Sequence, residues 1–288
     1  MNIIRDIIRF IFGAENYTRI RFFLTHHYFI NRVSPQTFSE KIISRKLDDD
    51  PKKYSLFVDK YTVREYVERK IGKEHLIPLI KVKNFLELTD FDDLPDEFVL
   101  KTSNGGGGKN VLVVEDKNKL DFHKVCSDFN RYLNIKMGDI VDEHFYDIEP
   151  ASIIVEKMIK NSDDTPPFDY KIHVFETYEE PVAFIQVDKD RFSEHKRTIY
   201  NEDLTVADFK IQPKYADVED DFVFPDNIYE LIRLAKVLAK GFGYVRVDMY
   251  SVDNHIYFGE MTFCHGSGWE KIKPSEFDCK LGKLWINK

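Results

Sequence analysis

Apolar residues recur at three- and four-residue spacing in three stretches of the chain, and this spacing predicts helices. The first stretch is MNIIRDIIRFIFGAENYTRIRFFL, in which Arg5 and Arg9 interrupt the isoleucines. The second is DKYTVREYVERKIG, which ends at Gly72, and the third is NIYELIRLAKVLAKGFG, which ends in glycines. Glycine is the residue that most often follows the last turn of a helix. Residues 34–75 and 117–136 are also expected to be mostly helical.

Short apolar runs bounded by turn residues predict strands in the rest of the chain. These runs are HLIPLIKV, FVLKTS, NVLVVED, SIIVEKMI, DYKIHVF and PVAFIQV. Near the C-terminus, YVRVDMYSVDNHIYFGEMTF indicates two strands joined by a tight turn. Because strands joined by short turns pair antiparallel, we expect an α+β fold with largely antiparallel sheets.

The composition limits the class of protein. The chain has 288 residues and a formal net charge of −8, which argues against a general nucleic-acid binder but allows a local basic pocket. Its three cysteines, Cys126, Cys264 and Cys279, form no CxxC pair, so a reduced cytoplasmic location is the simplest interpretation. Cys264 and the adjacent His265 are interpreted as loop residues, because no partner spacing supports covalent catalysis.

The N-terminal segment has two interpretations. It lacks the small-residue cleavage site of a signal peptide, and no run in the chain is long and apolar enough to span a bilayer. Some basic amphipathic helices of this kind lie on a membrane surface. Packing of the apolar face against the body of the protein or against a partner is the commoner use.

Four consecutive glycines, Gly105, Gly106, Gly107 and Gly108, separate two predicted strands in FVLKTSNGGGGKN. The loop lacks the Lys-Ser/Thr pair of a Walker P-loop, and no helix follows it as in a dinucleotide-binding fingerprint. A glycine-rich hairpin can instead fold over a triphosphate with its backbone N–H groups, and Lys101 would then face the phosphates. For this stretch alone, a flexible solvent-exposed turn is the alternative.

The length of the turn in the C-terminal hairpin decides where its two carboxylates point. If a three-residue turn lets Val252 pair with Ile256, Asp248 lies opposite Glu260 on one face of the sheet. A two-residue turn at 253–254 would send the carboxylates to opposite faces. We expect the three-residue turn, because Asp, Asn and His tolerate the positive φ values that it requires.

Two facing carboxylates repel each other unless a cation lies between them. Mg²⁺ bound together with nucleotide phosphates is the usual cation in such a site. The same register puts Arg246 opposite Thr262, so a surface pair bridged by Arg246 is the alternative.

A weaker signal is VEKM, in which Glu156 and Lys157 end a buried strand. Backbone groups at strand ends can pair with the edge of a purine. The two charged residues are equally consistent with the exit of a strand into solvent.

Taken in order, these motifs resemble the ATP-grasp superfamily of carboxylate–amine ligases. FVLKTSNGGGGKN is similar to its lysine and glycine-rich flap, and VEKMI to the adenine-contacting strand end of D-alanine–D-alanine ligases. RVDMYSVDNHIYFGEMTFCHGSG resembles the metal-binding hairpin. A closer resemblance, from about residue 34 to the C-terminus, is to the teichuronopeptide-biosynthesis (TupA-like) branch. It rests on SPQTFSEKI, DKYTVREYVERKIG, HLIPLI, LPDEFVLK, DYKIHVF and DRFSEHKRTIY.

The resemblance implies an ATP-grasp fold with a nucleotide cleft between two α+β lobes. On this basis we expect an N-terminal amphipathic helical segment (1–33) and a helical or α+β subdomain (34–95). A small lobe with the flap (96–160) and a large lobe with the metal-binding hairpin (161–288) would follow.

The resemblance also implies roles for individual residues. The nucleotide-binding residues would be Lys101, Gly105, Gly106, Gly107, Gly108, Glu156, Lys157 and Ile159. The residues that act in the reaction would be Lys101, Lys171 and Arg246, and the Mg²⁺ ligands Asp248, Glu260 and Thr262. Thr262 departs from the family, which commonly has Asn there; its shorter hydroxyl would reach the metal through water.

The expected chemistry is amide bond formation with ATP and Mg²⁺. For the TupA-like branch, the resemblance implies a place in bacterial cell-surface polysaccharide assembly. The reaction would attach an amino acid or amine to a uronic-acid-containing saccharide. A carboxylate attacks the γ-phosphate to form an acyl phosphate, and an amine then displaces phosphate while the flap excludes water. The alternatives are a kinase that phosphorylates a saccharide and a non-catalytic nucleotide-binding scaffold.

Arg191, Lys196 and Arg197 form a basic cluster in an acidic protein. We hypothesise that they bind an anionic saccharide acceptor, and a solvated charged loop is the alternative. The identity of the amino acid and the oligomeric state do not follow from the sequence, so a homo-oligomer stays open.

Overall fold

The computed structural model describes residues 3–106, 108, 110–189 and 194–286, with the backbone alone for 3–8. The helices are α1 Ile3–His26, α2 Phe38–Asp48, α3 Ser55–Val58, α4 Val63–Ile71, α5 Phe122–Tyr132, α6 Met137–Val141, α7 Ile228–Ala239 and α8 Glu276–Leu284. The strands are β1 Leu79–Lys83, β2 Phe98–Thr102, β3 Val111–Val114, β4 Ile153–Lys157, β5 Phe168–Phe175, β6 Val182–Lys189, β7 Lys196–Tyr200, β8 Lys210–Ile211, β9 Tyr244–Val252, β10 His255–Thr262 and β11 Ile272–Lys273. The strands pair with one another antiparallel, which confirms the expected α+β class with largely antiparallel sheets.

The small lobe is built on a four-stranded sheet in the order β1-β4-β2-β3. Side chains alternate along β2, so Phe98 and Leu100 enter a hydrophobic core with α5 while Lys101 points to the other face. Leu86 and Phe91 belong to the same core. The sheet and its core therefore include β1, Leu86 and Phe91, which lie in the predicted helical or α+β subdomain (34–95).

The large lobe is built on a five-stranded sheet in the order β10-β9-β5-β6-β7. On β9, Val245, Val247 and Met249 are fully buried in the hydrophobic core that also contains the apolar face of α7. Because successive side chains on a strand alternate between faces, Arg246 and Asp248 emerge on the face away from α7. This face carries the polar residues described below.

The helices α2, α3 and α4 pack on the large lobe rather than forming a separate body. The hydroxyl of Tyr66 on α4 donates to the carbonyl of Leu238 on α7 at 2.8 Å. The buried guanidinium of Arg45 on α2 donates to the carbonyls of Tyr244 and Phe242 at 2.6 and 2.7 Å. These contacts fix α4 against α7 and α2 against the N-terminal end of β9.

The long helix α1 is kinked at Gly13, and among its described side chains one face packs on the rest of the chain. Phe22 is fully buried with Ile43, and the guanidinium of Arg21 lies 4.1 Å from the ring centroid of Trp269. Leu24, on another face, is 66% exposed. Across the residues that the structure describes, no helix combines the length and apolarity needed to cross a membrane.

Candidate active site

The β9–β10 hairpin brings two predicted site residues opposite each other. Asp248 pairs with Glu260, as expected. The expected three-residue turn is wrong, because Val252 pairs with His255 across a two-residue turn at 253–254. Both turn residues have positive φ values, 47° and 64°, which is typical of such a tight hairpin turn.

A β-bulge reconciles the short turn with the facing carboxylates. The register shifts by one residue between Phe258 and Glu260, and this shift returns Glu260 to the face of Asp248. Gly259 is the residue between Phe258 and Glu260, and a Cβ on Gly259 would lie 2.9 Å from the backbone oxygen of Asp248. Only glycine allows the strands to come this close.

The guanidinium of Arg246 lies between the two carboxylates. Its Nε and Nη2 donate to the two oxygens of Asp248 at 2.6 and 2.8 Å. Nη2 also donates to Glu260 Oε1 at 3.1 Å and to Thr262 Oγ1 at 3.0 Å. Arg246 thus balances the charge of the facing carboxylates. The alternative interpretation expected such a bridge at the surface, whereas the side chain of Asp248 is only 4% exposed.

The oxygen donors around Arg246 fit a magnesium ion that is shared with phosphates. Carboxylates and hydroxyls are the hard donors that Mg²⁺ prefers, and it is commonly held by one or two carboxylates plus substrate phosphates. The side chain of Glu260 is 34% exposed, and Arg246 uses only its Oε1. No group of three or more His, Cys, Asp or Glu side chains within the described ranges could hold a metal alone. The donor set of Asp248, Glu260 and Thr262 is consistent with the predicted metal role, which stays a prediction.

Lys171 reaches the same polar face from β5. Its ammonium donates to Asp248 Oδ2 at 2.9 Å and also to Asp169. Burial lowers the pKa of Lys171, but these two carboxylates outweigh burial and raise it, so the side chain is charged at neutral pH. Burial raises the pKa of Asp248, whereas Arg246 and Lys171 outweigh burial and lower that pKa to about 2.

On the small lobe, one buried carboxylate holds two cations. Glu156 Oε2 lies 2.6 Å from the ammonium of Lys101, and Glu156 Oε1 lies 3.1 Å from the guanidinium of Arg64 on α4. Lys157 is exposed at the end of β4, and Ile159 is half-buried just beyond it. The structure therefore brings Lys101 and Glu156 together, and it adds Arg64, which the sequence analysis missed.

Lys60 links the two lobes, and the sequence analysis also missed it. Its ammonium donates to the carbonyl of Gly105 in the flap at 2.6 Å. Burial lowers the pKa of Lys60. The negative charge of Glu260 on the large lobe raises this pKa, and the positive charge of Lys101 on the small lobe lowers it further. The backbone N–H of Lys60 also donates to the carbonyl of Ser103 at 2.8 Å, so the residue is held against the loop at two points.

The glycine-rich loop adopts a conformation that favours glycine at two positions. Gly105 and Gly108 both have φ values of 77°. A Cβ at Gly105 would lie 3.2 Å from Cγ of Met137 on α6, whereas a Cβ at Gly108 would meet nothing within 4 Å. Gly107, which was also assigned to the flap, lies outside the described residues.

The segment that follows α6 borders the flap and carries an unusual carboxyl group. The hydroxyl of Tyr146 lies 4.0 Å from the position that a Cβ on Gly106 would take. Glu143, 5% exposed, accepts a hydrogen bond from the hydroxyl of Ser267. Burial raises the pKa of Glu143 to about 7, against the opposing effects of Ser267 and Lys46. A carboxyl group that titrates near neutral pH thus lies beside the cleft.

Arg197, predicted to bind the acceptor, already has two carboxylate partners. Its Nε donates to Asp188 Oδ1 at 2.6 Å, and its Nη1 donates to Glu270 Oε2 at 2.9 Å. Its side chain is only 9% exposed. An anionic acceptor would have to compete with these carboxylates.

The other two members of the basic cluster differ from Arg197. Lys196 forms an ion pair with Glu219 at the sheet edge. Arg191 lies outside the described residues. The acceptor-binding role of the cluster stays a prediction.

The two residues that follow the β9–β10 hairpin, Cys264 and His265, have different environments. Burial raises the pKa of the Cys264 thiol well above its usual value, which disfavours a reactive thiolate. His265 is not a simple loop residue, because its Nδ1 lies 2.9 Å from Nη1 of Arg246. No spacing signal in the sequence pointed to this contact.

Comparison with protein families decides the class of the chain. Residues 40–286 match the family described as TupA-like ATPgrasp. The chain belongs to the TupA-like ATP-grasp family. The resemblance inferred from the motifs is thereby confirmed, and membership implies that this TupA-like protein binds ATP.

The TupA-like protein is also similar, at low identity, to solved structures. For D-alanine–D-alanine ligase from Helicobacter pylori the TM-score is 0.45, with 16% identity over 81% of this chain and 62% of that one. For phosphoribosylamine–glycine ligase from Thermotoga maritima the TM-score is 0.43, with 12% identity over 76% of this chain and 52% of that one. For the ATP-grasp ligase PsnB, complexed with Mg, ADP and a precursor variant, the TM-score is 0.39, with 11% identity over 82% of this chain and 60% of that one. The TupA-like chain thus spans less than two thirds of each solved chain, and no curated protein matches it.

Proposed function

We propose that this TupA-like protein is an ATP-dependent ligase that joins a carboxylate to an amine through an acyl phosphate. The observation that carries the proposal is the geometry of the β9–β10 hairpin, which places Asp248 opposite Glu260 on the large lobe. On the small lobe, Lys60 donates to Gly105 of the glycine-rich loop, and Lys101 lies at the end of the strand that leads into this loop. In the proposal the two lysines would bind the phosphates and the two carboxylates a divalent ion. Phosphoryl transfer depends on this arrangement of charge more than on covalent catalysis.

The nucleotide would lie between the two lobes. Lys60 and Lys101 would offset the charge of the phosphates beneath glycines 105–108. The adenine would contact the end of β4, at Glu156, Lys157 and Ile159.

The metal would be held by the hairpin. The ligands would be Asp248 and Glu260, with Thr262 acting through water. Bound there, Mg²⁺ neutralises and orients the phosphate oxygens.

The reaction would proceed in two steps. An oxygen of the substrate carboxylate attacks the γ-phosphorus, the bond to the β-phosphate oxygen breaks, and ADP leaves. The amine then attacks the carbonyl carbon of the acyl phosphate, inorganic phosphate leaves, and the amine nitrogen loses a proton. Arg246 would stabilise the tetrahedral oxyanion, and Lys171 would balance charge near the phosphates. Loss of one such oxyanion contact typically costs about 3–4 kcal/mol of barrier.

The substrates we propose are an amino acid or amine and a uronic-acid-containing bacterial surface polysaccharide, such as a capsule, or its precursor. The family resemblance supports this class, and a cytoplasmic location would supply the ATP. The acceptor would be bound by Arg191, Lys196 and Arg197. To contact Lys196 and Arg197 it would have to displace carboxylate partners such as Glu219 and Asp188.

A hydroxylamine trap tests the proposed function. Purified protein is incubated with Mg-ATP, hydroxylamine and a panel of uronic acids and amino acids, and hydroxamate, ADP and free phosphate are measured. We expect hydroxamate together with equimolar ADP and phosphate, and about a hundredfold less in Lys101→Ala. Exposed Lys280→Ala is the control. ADP with a phosphorylated saccharide and no free phosphate would indicate the rival kinase, and no turnover with any pair would favour the scaffold.

For the N-terminal segment we propose peripheral contact with an anionic membrane surface. Its exposed apolar side chains include Phe10 at 91% and Leu24 at 66%. Residues 1–33 contain five arginines against two acidic residues, although the whole chain is acidic. Basic amphipathic segments of this kind bind anionic lipids through both apolar area and charge.

Vesicle sedimentation tests the membrane contact. The intact chain should sediment with phosphatidylglycerol vesicles more than with phosphatidylcholine vesicles. The double variant Phe10→Ser/Leu24→Ser should stay in the supernatant, while Val223→Ser, a change at another exposed apolar residue, should have no effect. Equal sedimentation of the three proteins would overturn the proposal, and self-association that the double variant abolishes would indicate a second copy instead.

A further inference from the structure

All three nitrogens of the Arg246 guanidinium have partners, but one partner comes from outside the hairpin. Asp248 accepts from Nε and Nη2 at 2.6 and 2.8 Å. Nη1 lies 2.9 Å from Nδ1 of His265, in the turn after β10. His265 therefore supports the edge of the guanidinium that the carboxylates do not hold.

The chemistry of the partners fixes the tautomer of His265. A guanidinium has only donors, so the ring nitrogen facing Nη1 of Arg246 must be an acceptor and carry no proton. The other ring nitrogen, Nε2, lies 2.9 Å from Glu270 Oε2. Glu270 is ionised, because burial of its carboxyl group is outweighed by His265 and Arg197, which lower its pKa to about 2. Nε2 must therefore hold the proton and donate it to Glu270.

Glu270 is itself held in place by the arginine behind it. Arg197 Nη1 donates to the same oxygen of Glu270 at 2.9 Å, and Arg197 Nε donates to Asp188 at 2.6 Å. Asp188 also accepts from the amide of Gln186 at 2.6 Å. An unbroken series of hydrogen bonds thus runs from the edge of the large sheet to Arg246.

We propose that His265, fixed as its Nε2–H tautomer by Glu270, positions Arg246 for the oxyanion of the ligase reaction. Arg197 is the outer support of this series. The inference deepens the proposed ligase function and rests on it for the role of Arg246, whereas the tautomer is a property of the protein alone.

The environment of His265 favours a positioning role over a direct chemical one. The side chain is 4% exposed, and both ring nitrogens already have partners. Partners of this kind orient a functional group without touching the substrate, and their loss typically costs about 10–100-fold in activity.

The tautomer can be measured without any substrate. In protein labelled with [¹⁵N]histidine, long-range ¹H–¹⁵N correlation spectra distinguish a protonated from a bare ring nitrogen. The His265 signals are assigned by their absence in His265→Asn. We expect a neutral ring at pH 7.5 with the proton on Nε2. A proton on Nδ1, or on both nitrogens, would overturn the inference.

Conservative rescue tests the consequence for turnover. With D-glucuronate, hydroxylamine and Mg-ATP as probes, His265→Ala should lower kcat by about tenfold or more and change the KM for ATP little. In His265→Asn the amide oxygen can replace Nδ1 as the acceptor for Arg246, so kcat should stay within about threefold of the parent. His123→Ala, a change at an exposed histidine on α5, is the control.

The two proposals fail in different ways. Equal losses in His265→Ala and His265→Asn would refute the positioning role while leaving ligase turnover by the parent protein intact. If the parent protein forms no hydroxamate with any tested carboxylate, the ligase function fails, and the tautomer measurement still decides the geometry around Arg246.

Discussion

The two walls of the cleft hold their cations differently. On the large lobe, Arg246, Lys171 and Arg197 each contact two carboxylates. On the small lobe, Lys101 shares Glu156 with Arg64. Lys60, between the lobes, donates to a backbone carbonyl of the flap instead of a carboxylate.

This difference separates two tasks of the site. Paired charges in a buried sheet are rigid, so the large lobe can preorganise the groups that would hold a metal and an oxyanion. Cations with fewer carboxylates beside a glycine-rich loop can exchange their partners for phosphates when nucleotide binds. We therefore expect mutations on the large lobe to affect stability strongly, and mutations in the flap to affect it weakly.

The largest effect is expected where the large-lobe network is broken. Arg197→Ala leaves Asp188, whose side chain is 2% exposed, with one cationic partner fewer. Breaking a buried ion pair in this way typically lowers the free energy of unfolding by about 3–5 kcal/mol. Urea unfolding monitored by circular dichroism measures the change.

The matched control for Arg197 is Arg233, which contacts Glu230 through two hydrogen bonds on the surface. The side chains of this pair are 60% and 48% exposed, so Arg233→Ala should change stability by less than about 1 kcal/mol. Equal effects of the two substitutions would contradict the claim that the buried ion pairs of the large lobe contribute strongly to its stability. An unchanged stability with a raised acceptor KM in Arg197→Ala would instead support the acceptor-binding role.

A pH-dependent effect is expected from Glu143, beside the cleft. Burial raises its pKa from 4.5 to about 7, while the facing groups Lys46 and Arg246 lower it and Asp142 raises it. Between these pH values the folded chain binds more protons than the unfolded chain, so this group makes stability fall as pH rises. Glu143→Gln removes this titration. Relative to the parent protein, its free energy of unfolding should therefore increase by up to about 3 kcal/mol as the pH rises from 4.5 to 8. Unfolding curves at both pH values measure the gain, and a difference independent of pH would contradict it.

The smallest effect is expected in the flap. Gly105→Ala forces a side chain into a left-handed conformation, and its Cβ would lie 3.2 Å from Met137. Gly108→Ala has the same φ but meets nothing within 4 Å. We expect a cost of about 1–2 kcal/mol from the backbone in each, with a further rise in the KM for ATP only in Gly105→Ala. Similar KM values for both variants would show that the contact between residue 105 and Met137 on α6 does not affect ATP binding.

The hairpin could be predicted from the sequence, because it depends on local alternation and a short turn. The facing positions of Asp248 and Glu260 were expected from a three-residue turn. The turn was predicted wrongly, and the result is right only because a bulge at Gly259 compensates. A bulge adds one residue without changing the apolar pattern around it, so periodicity alone does not reveal it.

The groups that the sequence analysis missed are distant along the chain from their partners. Lys60 contacts Gly105, and Glu143 contacts Ser267. Before folding, Lys60 is only a charged residue ahead of a helix, and Glu143 one of several acidic residues in a polar stretch. Their roles depend on how α4 and the segment after α6 pack, which no local pattern encodes.

The most direct test of the site is calorimetric titration of the protein with a non-hydrolysable ATP analogue, with and without Mg²⁺. We predict binding that Mg²⁺ strengthens at least about tenfold in the parent protein, and no such strengthening in Glu260→Gln, which keeps the shape of the side chain but loses its charge. Glu276→Gln, a change at an exposed carboxylate on α8, should behave like the parent protein. Binding that is equally strong with and without Mg²⁺, or no binding at all, would contradict a nucleotide site closed by the β9–β10 hairpin.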